Sequence, residues 1–457
     1  MNKNVELLNG SIAGSIAKLA LPIMGTSLIQ MAYNLTDMIW IGHLGSNAVA
    51  AVGAAGMYMW LSSGFALLPR MGGQVMTGQA MGAGKKDDAA RNASAAITLG
   101  IIMSLVYGFI SIVFCGPMIG FFNLSNPQVI HDGKVYIAIT CGFIFFNFMN
   151  QILTGLLTSL GNSMLTFRAT TIGLIINLIL DPLLIFGIGP LPALGVIGAA
   201  LATVFAQVIV FVIFFHHIYN DEILFAKKYI FGKPDLQRMK SIFSIGFPAA
   251  IQSLGFTLIS MVISRIISGW GDAAIAVQRV GTQIESISWM TAEGFGSALN
   301  AFTAQNYGAG KNERVKKGYR SSLIIMGLWG LFTTFVLVVF PEQIFRLFIR
   351  EADVIPMGVN YLRILGLSQL FLCTETAAAG VFQGLGKSAP PSIVGIAFNL
   401  ARIPSAIILS ATVLKLNGIW WSISISSMFK GTVLPLWLAI YMRKLFKNKK
   451  QQVQKNC

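Results

Sequence analysis

The chain has 457 residues, 55% of them hydrophobic and only 11% charged, and a formal net charge of +16. Soluble domains carry about 25% charged residues, so too little polar surface is present to cover a water-facing body. This excludes a soluble enzyme or binding module and leaves a membrane protein.

Twelve apolar stretches follow along the chain, at 15–42, 47–72, 92–116, 133–157, 166–188, 193–217, 241–268, 273–300, 318–341, 357–382, 389–413 and 418–442. A helix needs about 20 residues to cross a bilayer, and each stretch is long enough. In lipid, an open-ended segment satisfies its own backbone polar groups only as a helix. The expected fold class is an all-α membrane protein with twelve transmembrane helices. The first residues, Met1 to Gly14, are polar, and the apolar run after them has no small-residue cleavage site, which argues against a secretory signal.

The charge is placed by topology. With the N-terminus in the cytoplasm, inside regions hold Lys85, Lys86, Arg91, Lys227, Lys228, Lys233, Arg238, Lys240, Lys311, Arg314, Lys316 and Lys317, and the basic tail from Arg443 to Lys455. Outside regions hold Lys134, Arg346, Arg350, Arg363 and Lys415. The bias predicts cytoplasmic termini and a cell-membrane location. Anionic lipid explains the basic balance, and no nucleic-acid partner is expected. Neither Cys115, Cys141, Cys373 and Cys457 nor the four histidines show metal-ligand or disulfide spacing.

The two halves repeat. Ala20-Leu21-Pro22 pairs with Gly246-Phe247-Pro248, and Gly45-Ser46-Asn47-Ala48 with Gly271-Asp272-Ala273-Ala274. Gln79-Ala80-Met81-Gly82-Ala83-Gly84-Lys85 pairs with Gln305-Asn306-Tyr307-Gly308-Ala309-Gly310-Lys311, again at an offset of 226. The expected organisation is an N-lobe at 1–218 (TM1–6), a cytoplasmic linker at 219–240, a C-lobe at 241–442 (TM7–12) and a basic cytoplasmic tail at 443–457. Two six-helix lobes related by an internal repeat form a known transporter plan, with alternating access between the lobes.

A charge inside a span survives only where it faces the protein interior or water. In the first span Gln30, Tyr33, Asn34 and Asp37 share one helix face. Asp37 is read as functional, against the alternative of a structural pair with Arg70. In the fifth span Asn177 and Asp181 stand one turn apart before Pro182, and Thr203 follows in the sixth. Two carboxylates, an amide and a hydroxyl suit a small hard cation; the same carboxylates in a low dielectric would share a proton. The sequence leaves both open. No resident cofactor is expected. Pro22 removes one backbone hydrogen bond and offers the first helix a place to bend. In the second half, Gln252 and Gln283 join Gln30, Tyr33 and Asn34 as candidates for the substrate path. Glu285, Glu293 and Glu375 with Arg265, Arg279 and Arg402 read as internal salt bridges.

These residues resemble the multidrug and toxic compound extrusion (MATE) transporters over nearly the whole chain. The resemblance rests on Pro22, Asp37 and Gly42-His43-Leu44-Gly45, the twin Gly-Ala-Gly motifs, Asn177 to Pro182, Gly198 to Thr203 and Gly384-Leu385-Gly386. It implies a secondary active antiporter, not an enzyme, that exports organic cations and amphipathic drugs in exchange for Na⁺ or H⁺. It also implies that Asp37, Asn177, Asp181 and Thr203 form the N-lobe cation site. The connection from Gly189 to Gly195 is longer than the family's usual one. The seventh span has Gln252 and Ser253 where several members carry an acid, which leaves coupling in the N-lobe. A flippase for lipid-linked or oligosaccharide substrates is the alternative, on the strength of Arg70, Arg265, Arg279 and Arg402.

Overall fold

The computed structural model describes residues 5–122, 126–187, 192–219, 221, 223–230, 232–349 and 351–456; the side chains at 34, 35, 46, 227, 272 and 446–456 lie outside the description. The first repeat runs α1 (Ile12–His43), α2 (Ser46–Gly82), α3 (Lys86–Val113), a short α4 (Cys115–Gly120), α5 (Pro127–Thr140), α6 (Ile144–Ser159), α7 (Ser163–Phe186) and α8 (Val196–Ile218). After the one-turn α9 (Lys227–Ile230) come α10 (Leu236–Ser268), α11 (Asp272–Gly308), α12 (Asn312–Val339) and a short α13 (Pro341–Arg346). The chain then continues through α14 (Ile355–Gly366), α15 (Gln369–Gly384), α16 (Ala389–Ser410) and α17 (Leu416–Asn456). The connection that begins at Gly189 falls partly outside the described residues.

Among the described residues, nine helices are long and apolar enough to cross a bilayer alone. Two bent pairs, α5 with α6 at 49° and α14 with α15 at 40°, bring the spans to eleven. The twelfth is α11. Its 37 residues reach about 55 Å at 1.5 Å per residue, and it carries Arg279, Glu285 and Glu293. The stretches 133–157 and 357–382 read as continuous helices; each is broken, and the two breaks fall at equivalent places of the repeat. Gly142 sits in the first break, where a Cβ would stand 2.2 Å from the Ala138 carbonyl oxygen.

The twin Gly-Ala-Gly motifs end α2 and α11 in the same way. Gly84 (φ +74°) and Gly310 (φ +71°) take the left-handed conformation that glycine adopts without a Cβ penalty. That turn lets Lys85 N donate to Ala80 O and Lys311 N to Asn306 O, at 3.0 and 2.9 Å, closing orphan carbonyls at the helix ends. The motif is therefore a helix stop, and its recurrence reports on the fold.

By packing, the chain forms two units. One holds Met1–Val5 and Gly25–Ala250, the other Glu6–Met24 and Ile251–Cys457. Both boundaries fall inside a helix, two residues past Pro22 and two past Pro248. In the first unit the start of α10 lies against α2: a Cβ on Gly72 would stand 2.2 Å from the Ile242 carbonyl oxygen, and one on Gly246 2.1 Å from that of Leu68. In the second, the start of α1 lies against α11, where a Cβ on Gly294 would stand 3.1 Å from the Met24 backbone nitrogen. Missing side chains let these backbones approach closely.

Each unit also ties down a segment at its polar end. Arg238 donates to Asp88 at 2.8 Å and Asn92 at 2.7 Å. At the repeat-equivalent of Asp88, Arg314 donates to the carbonyls of Leu7, Asn9 and Gly10 at 3.2, 2.7 and 2.9 Å.

Candidate functional site

In the first unit, α7 supplies the fixed part of the site. Asn177 and Asp181 are 2% and 0% exposed. One helical turn stacks them, and Asn177 Nδ2 donates to Asp181 Oδ1 at 2.9 Å. Pro182 next to Asp181 removes a helix hydrogen bond beside the carboxylate while α7 continues through it. Opposite stands Asp37, from the part of α1 that packs in this unit. The Asp37 and Asp181 carboxyl groups lie within hydrogen-bonding reach of one another. Thr203 on α8 has the hydroxyls of Tyr33 and Tyr136 within the same reach.

The accounting at this site is incomplete in one direction. Asp37 Oδ1 and Asp181 Oδ2 are buried, and neither accepts a hydrogen bond among the described residues. No lysine or arginine among those residues pairs with either carboxylate. Arg70, the alternative partner for Asp37, lays its stem along Gly155 of α6 instead. Two adjacent anionic oxygens without a donor or a counter-charge are costly at membrane depth. A bound proton or a small cation would supply what is missing. Among the described residues no three acidic, histidine or cysteine side chains gather as a metal centre, and Cys115, Cys141 and Cys373 are free thiols.

The sequence-selected residues divide between the units. Asp37, Asn177, Asp181, Thr203 and Tyr33 come together, and Gln30 belongs to the same unit; the Asn34 side chain lies outside the described residues. Gln252 and Gln283 belong to the second unit. Gln252 packs against α16, where a Cβ on Gly395 would stand 2.4 Å from its Nε2. Gln283 is half-buried on α11, its carbonyl accepting from Ser286 Oγ at 2.6 Å.

Two polar residues escaped the sequence reading. Tyr136, 6% exposed on α5, was one aromatic among many in an apolar run. Lys430 on α17, 8% exposed, pairs with Glu375 at 3.2 Å. A lone lysine in the stretch 418–442 was the available signal, since a span does not carry such a charge without a partner. Of the expected salt bridges, the Glu375 one forms, with Lys430 as its partner. Arg265 and Arg279 are exposed and form no ion pair among the described residues, and Glu293 is exposed. Arg402 is buried and bonds serines, with Nε to Ser426 Oγ at 3.0 Å and Nη2 to Ser427 Oγ at 3.1 Å.

Comparison with known proteins agrees with the duplication. The MatE family model matches residues 22–183 and again 248–408. The chain is 27% identical over 425 residues to the "Probable multidrug resistance protein NorM" of Thermotoga maritima, covering 92% of this chain and 91% of that one. It is also 27% identical over 367 residues to the "FAD transporter" of Shewanella oneidensis, covering 79% of each. A crystal structure of MATE in complex with MaL6 superposes with a TM-score of 0.90 at 22% identity, over 98% of this chain and all of that chain. With twelve spans in two repeated halves and the family model matching once in each, the chain belongs to the MatE family of multidrug and toxic compound extrusion transporters.

Proposed function

We propose that this protein is a secondary active antiporter that exports organic cations and amphipathic drugs in exchange for Na⁺ or H⁺. The observation that carries the reading is the Asp37–Asp181 pair, whose oxygens Oδ1 and Oδ2 have no donor among the described residues. A ligand shifts a conformational equilibrium only through differential affinity for the two states. A carboxylate pair built from α1 and α7 supplies this. Occupied by a cation, the two helices are drawn together; emptied, the like charges repel. Asn177, Thr203, Tyr33 and Tyr136 add neutral oxygens that suit an unpolarisable cation. Pro22 lies in α1, 15 positions before Asp37, so a change at the carboxylate reaches a helix already missing one hydrogen bond.

In the first unit Gln30 and Tyr33, and in the second Gln252 and Gln283, are each unit's candidates for the substrate path, with amide and hydroxyl groups that fix no charge. The positive-inside bias supports insertion in the cell membrane with both termini cytoplasmic. The test is efflux of a lipophilic cation from proteoliposomes under separately imposed Na⁺ and pH gradients. Export driven by one gradient in the wild type, and absent in Asp37→Asn, supports the reading. Equal export by Asp37→Asn under both gradients overturns it.

A further inference from the structure

The second unit holds a buried polar cluster that cation coupling in the first does not use. Glu375 and Lys430 neutralise one another directly. Two charges remain, Arg402 on α16 and Glu285 on α11. They sense one another's field yet form no direct ion pair among the described residues. Arg402 is 7% exposed. Its Nε and Nη2 are taken by Ser426 and Ser427, and Ser426 Oγ in turn donates to the Phe398 carbonyl at 2.8 Å. That chain fixes the plane of the guanidinium. Arginine has five N–H donors, and the Nη1 edge donates to no protein acceptor among the described residues.

Glu285 has the opposite deficit. Its Oε2 accepts from Gln369 Nε2 at 3.4 Å, while Oε1 is buried without a donor, as is Oε1 of Gln369 itself. Gln369 is 1% exposed and also donates to the Leu365 carbonyl at 3.2 Å. Tyr361 on α14 has its hydroxyl within hydrogen-bonding reach of the Glu285 carboxylate. One cluster thus contains a guanidinium edge short of an acceptor and, in Oε1 of Gln369 beside Glu285, a buried oxygen short of a donor.

We infer that this cluster is a binding site for a carboxylate-type anionic group of a small amphipathic molecule, held on Arg402, with Glu285 taking up one proton as it binds. The anion supplies the acceptor atoms that the guanidinium edge lacks, in the planar geometry arginine recognises. The proton on Glu285 supplies the missing donor. Together they add no net charge to the cluster, which a low-dielectric interior strongly favours over adding either alone. The charged and titratable groups facing Glu285 are Tyr361 and Arg402; Glu375 and Lys430, which remain paired with each other, face Arg402. The inference rests on the antiporter reading for its physiological sense, but its test stands apart from it.

The probe is 9-anthroate, a fluorescent aromatic carboxylate ionised across about pH 6–9, titrated into wild-type protein in lipid nanodiscs against empty discs. The expected result is saturable binding, weakened about tenfold or more in Arg402→Gln, on the scale of a lost charged hydrogen bond. Ser426→Ala/Ser427→Ala leaves the guanidinium in place and should weaken binding several-fold, so the inference stays testable if Arg402→Gln fails to fold. Wild-type affinity should fall towards tenfold per pH unit as pH rises, as uptake of one proton requires. In Glu285→Gln, which holds the neutral form permanently, the pH dependence should vanish. Binding no better than empty discs, wild-type affinity in folded Arg402→Gln, or an equal pH slope in wild type and Glu285→Gln each overturns the inference. Tetraphenylphosphonium binding in wild type and Asp37→Asn, run alongside, reports separately on the antiporter reading.

Discussion

Asp37 and Asp181 in the first unit, and Glu285 and Glu375 in the second, are carboxylates in membrane helices, and the two pairs differ in what neutralises them. The first pair stands among hydroxyls and an amide, with buried oxygens that accept nothing among the described residues. The second is accompanied by Lys430 and Arg402, two cations from the chain itself. A duplicated fold has thus been given two electrostatic tasks. On the proposed reading the acidic site takes its counter-charge from outside, and that dependence would let an ion gradient act on it. The balanced cluster has its cations built in, so it needs none from the medium.

The sharpest way to break this comparison is to neutralise one acid on each side. Asp37→Asn should insert normally, because the amide is nearly isosteric and cheaper to bury. Gradient-driven export should fall to background, about 100-fold or more, since the amide binds neither a proton nor a counter-charge. Asp181→Asn should act in the same direction with a smaller loss, because Asn177 still presents its amide. Thermal unfolding in detergent should show neither variant destabilised, since each removes a carboxylate that lacks a cationic partner. A large fall in the unfolding temperature of Asp37→Asn would mean that a structural partner had been lost.

On the balanced side the stability signs reverse. Lys430→Met leaves the largely buried Glu375 without its 3.2 Å partner; Arg402 still lends its field, so the loss should fall somewhat short of the about 3–5 kcal/mol of an uncompensated buried charge. Glu375→Gln strands Lys430 in the same way. The double substitution should recover most of the loss, because a neutral pair has no charge to compensate. Unfolding measured across this double-mutant cycle gives the coupling directly. Additive losses in the double variant would contradict the pairing.

A finer test asks how much the neutral oxygens contribute. Tyr136→Phe removes one hydroxyl next to Thr203 and leaves both carboxylates in place. A lost neutral hydrogen bond is worth about 0.5–1.5 kcal/mol, so the gradient concentration at half-maximal export should rise roughly 2- to 10-fold. Maximal export should stay near wild type. A collapse of the maximum would give Tyr136 a role equal to that of Asp37.

Much of this could be read from residue order, because it is written in local spacing. Span positions follow from apolar runs, the duplication from the constant offset of 226, and the Asn177–Asp181 stacking from helical period. The features that escaped are contacts between distant helices. Lys430 finds Glu375 across 55 positions, and nothing near either names the other. Tyr136 reaches Thr203 only because α5 and α8 share a unit. The unit boundaries past Pro22 and Pro248 escaped as well. A proline marks a weak point in a helix but carries no information about which neighbours lie on each side of it. The breaks in the fourth and tenth spans were invisible for a related reason: hydropathy averages over a bend that a glycine and its packing decide.

The smallest expected effect sets the floor for the comparison. Glu342 lies in the first turn of α13, its side chain 53% exposed, and its carboxylate pairs with Arg346 at 2.7 Å one turn later. It too is a carboxylate with a cation, like Glu375 with Lys430, but it stands in water. There the attraction of two charges is screened, and holding two flexible side chains together costs entropy, so exposed pairs are worth about 0–1 kcal/mol. Glu342→Gln should therefore leave export under either gradient unchanged and shift the unfolding temperature by no more than the scatter of the measurement. The same chemical change, carboxylate to amide, then gives three results at three places: lost coupling at Asp37, lost stability at Glu375 and neither at Glu342. If Glu342→Gln impairs export as Asp37→Asn does, loss of a negative charge anywhere on the protein is sufficient, and neither burial nor the absence of a cationic partner explains what Asp37 does.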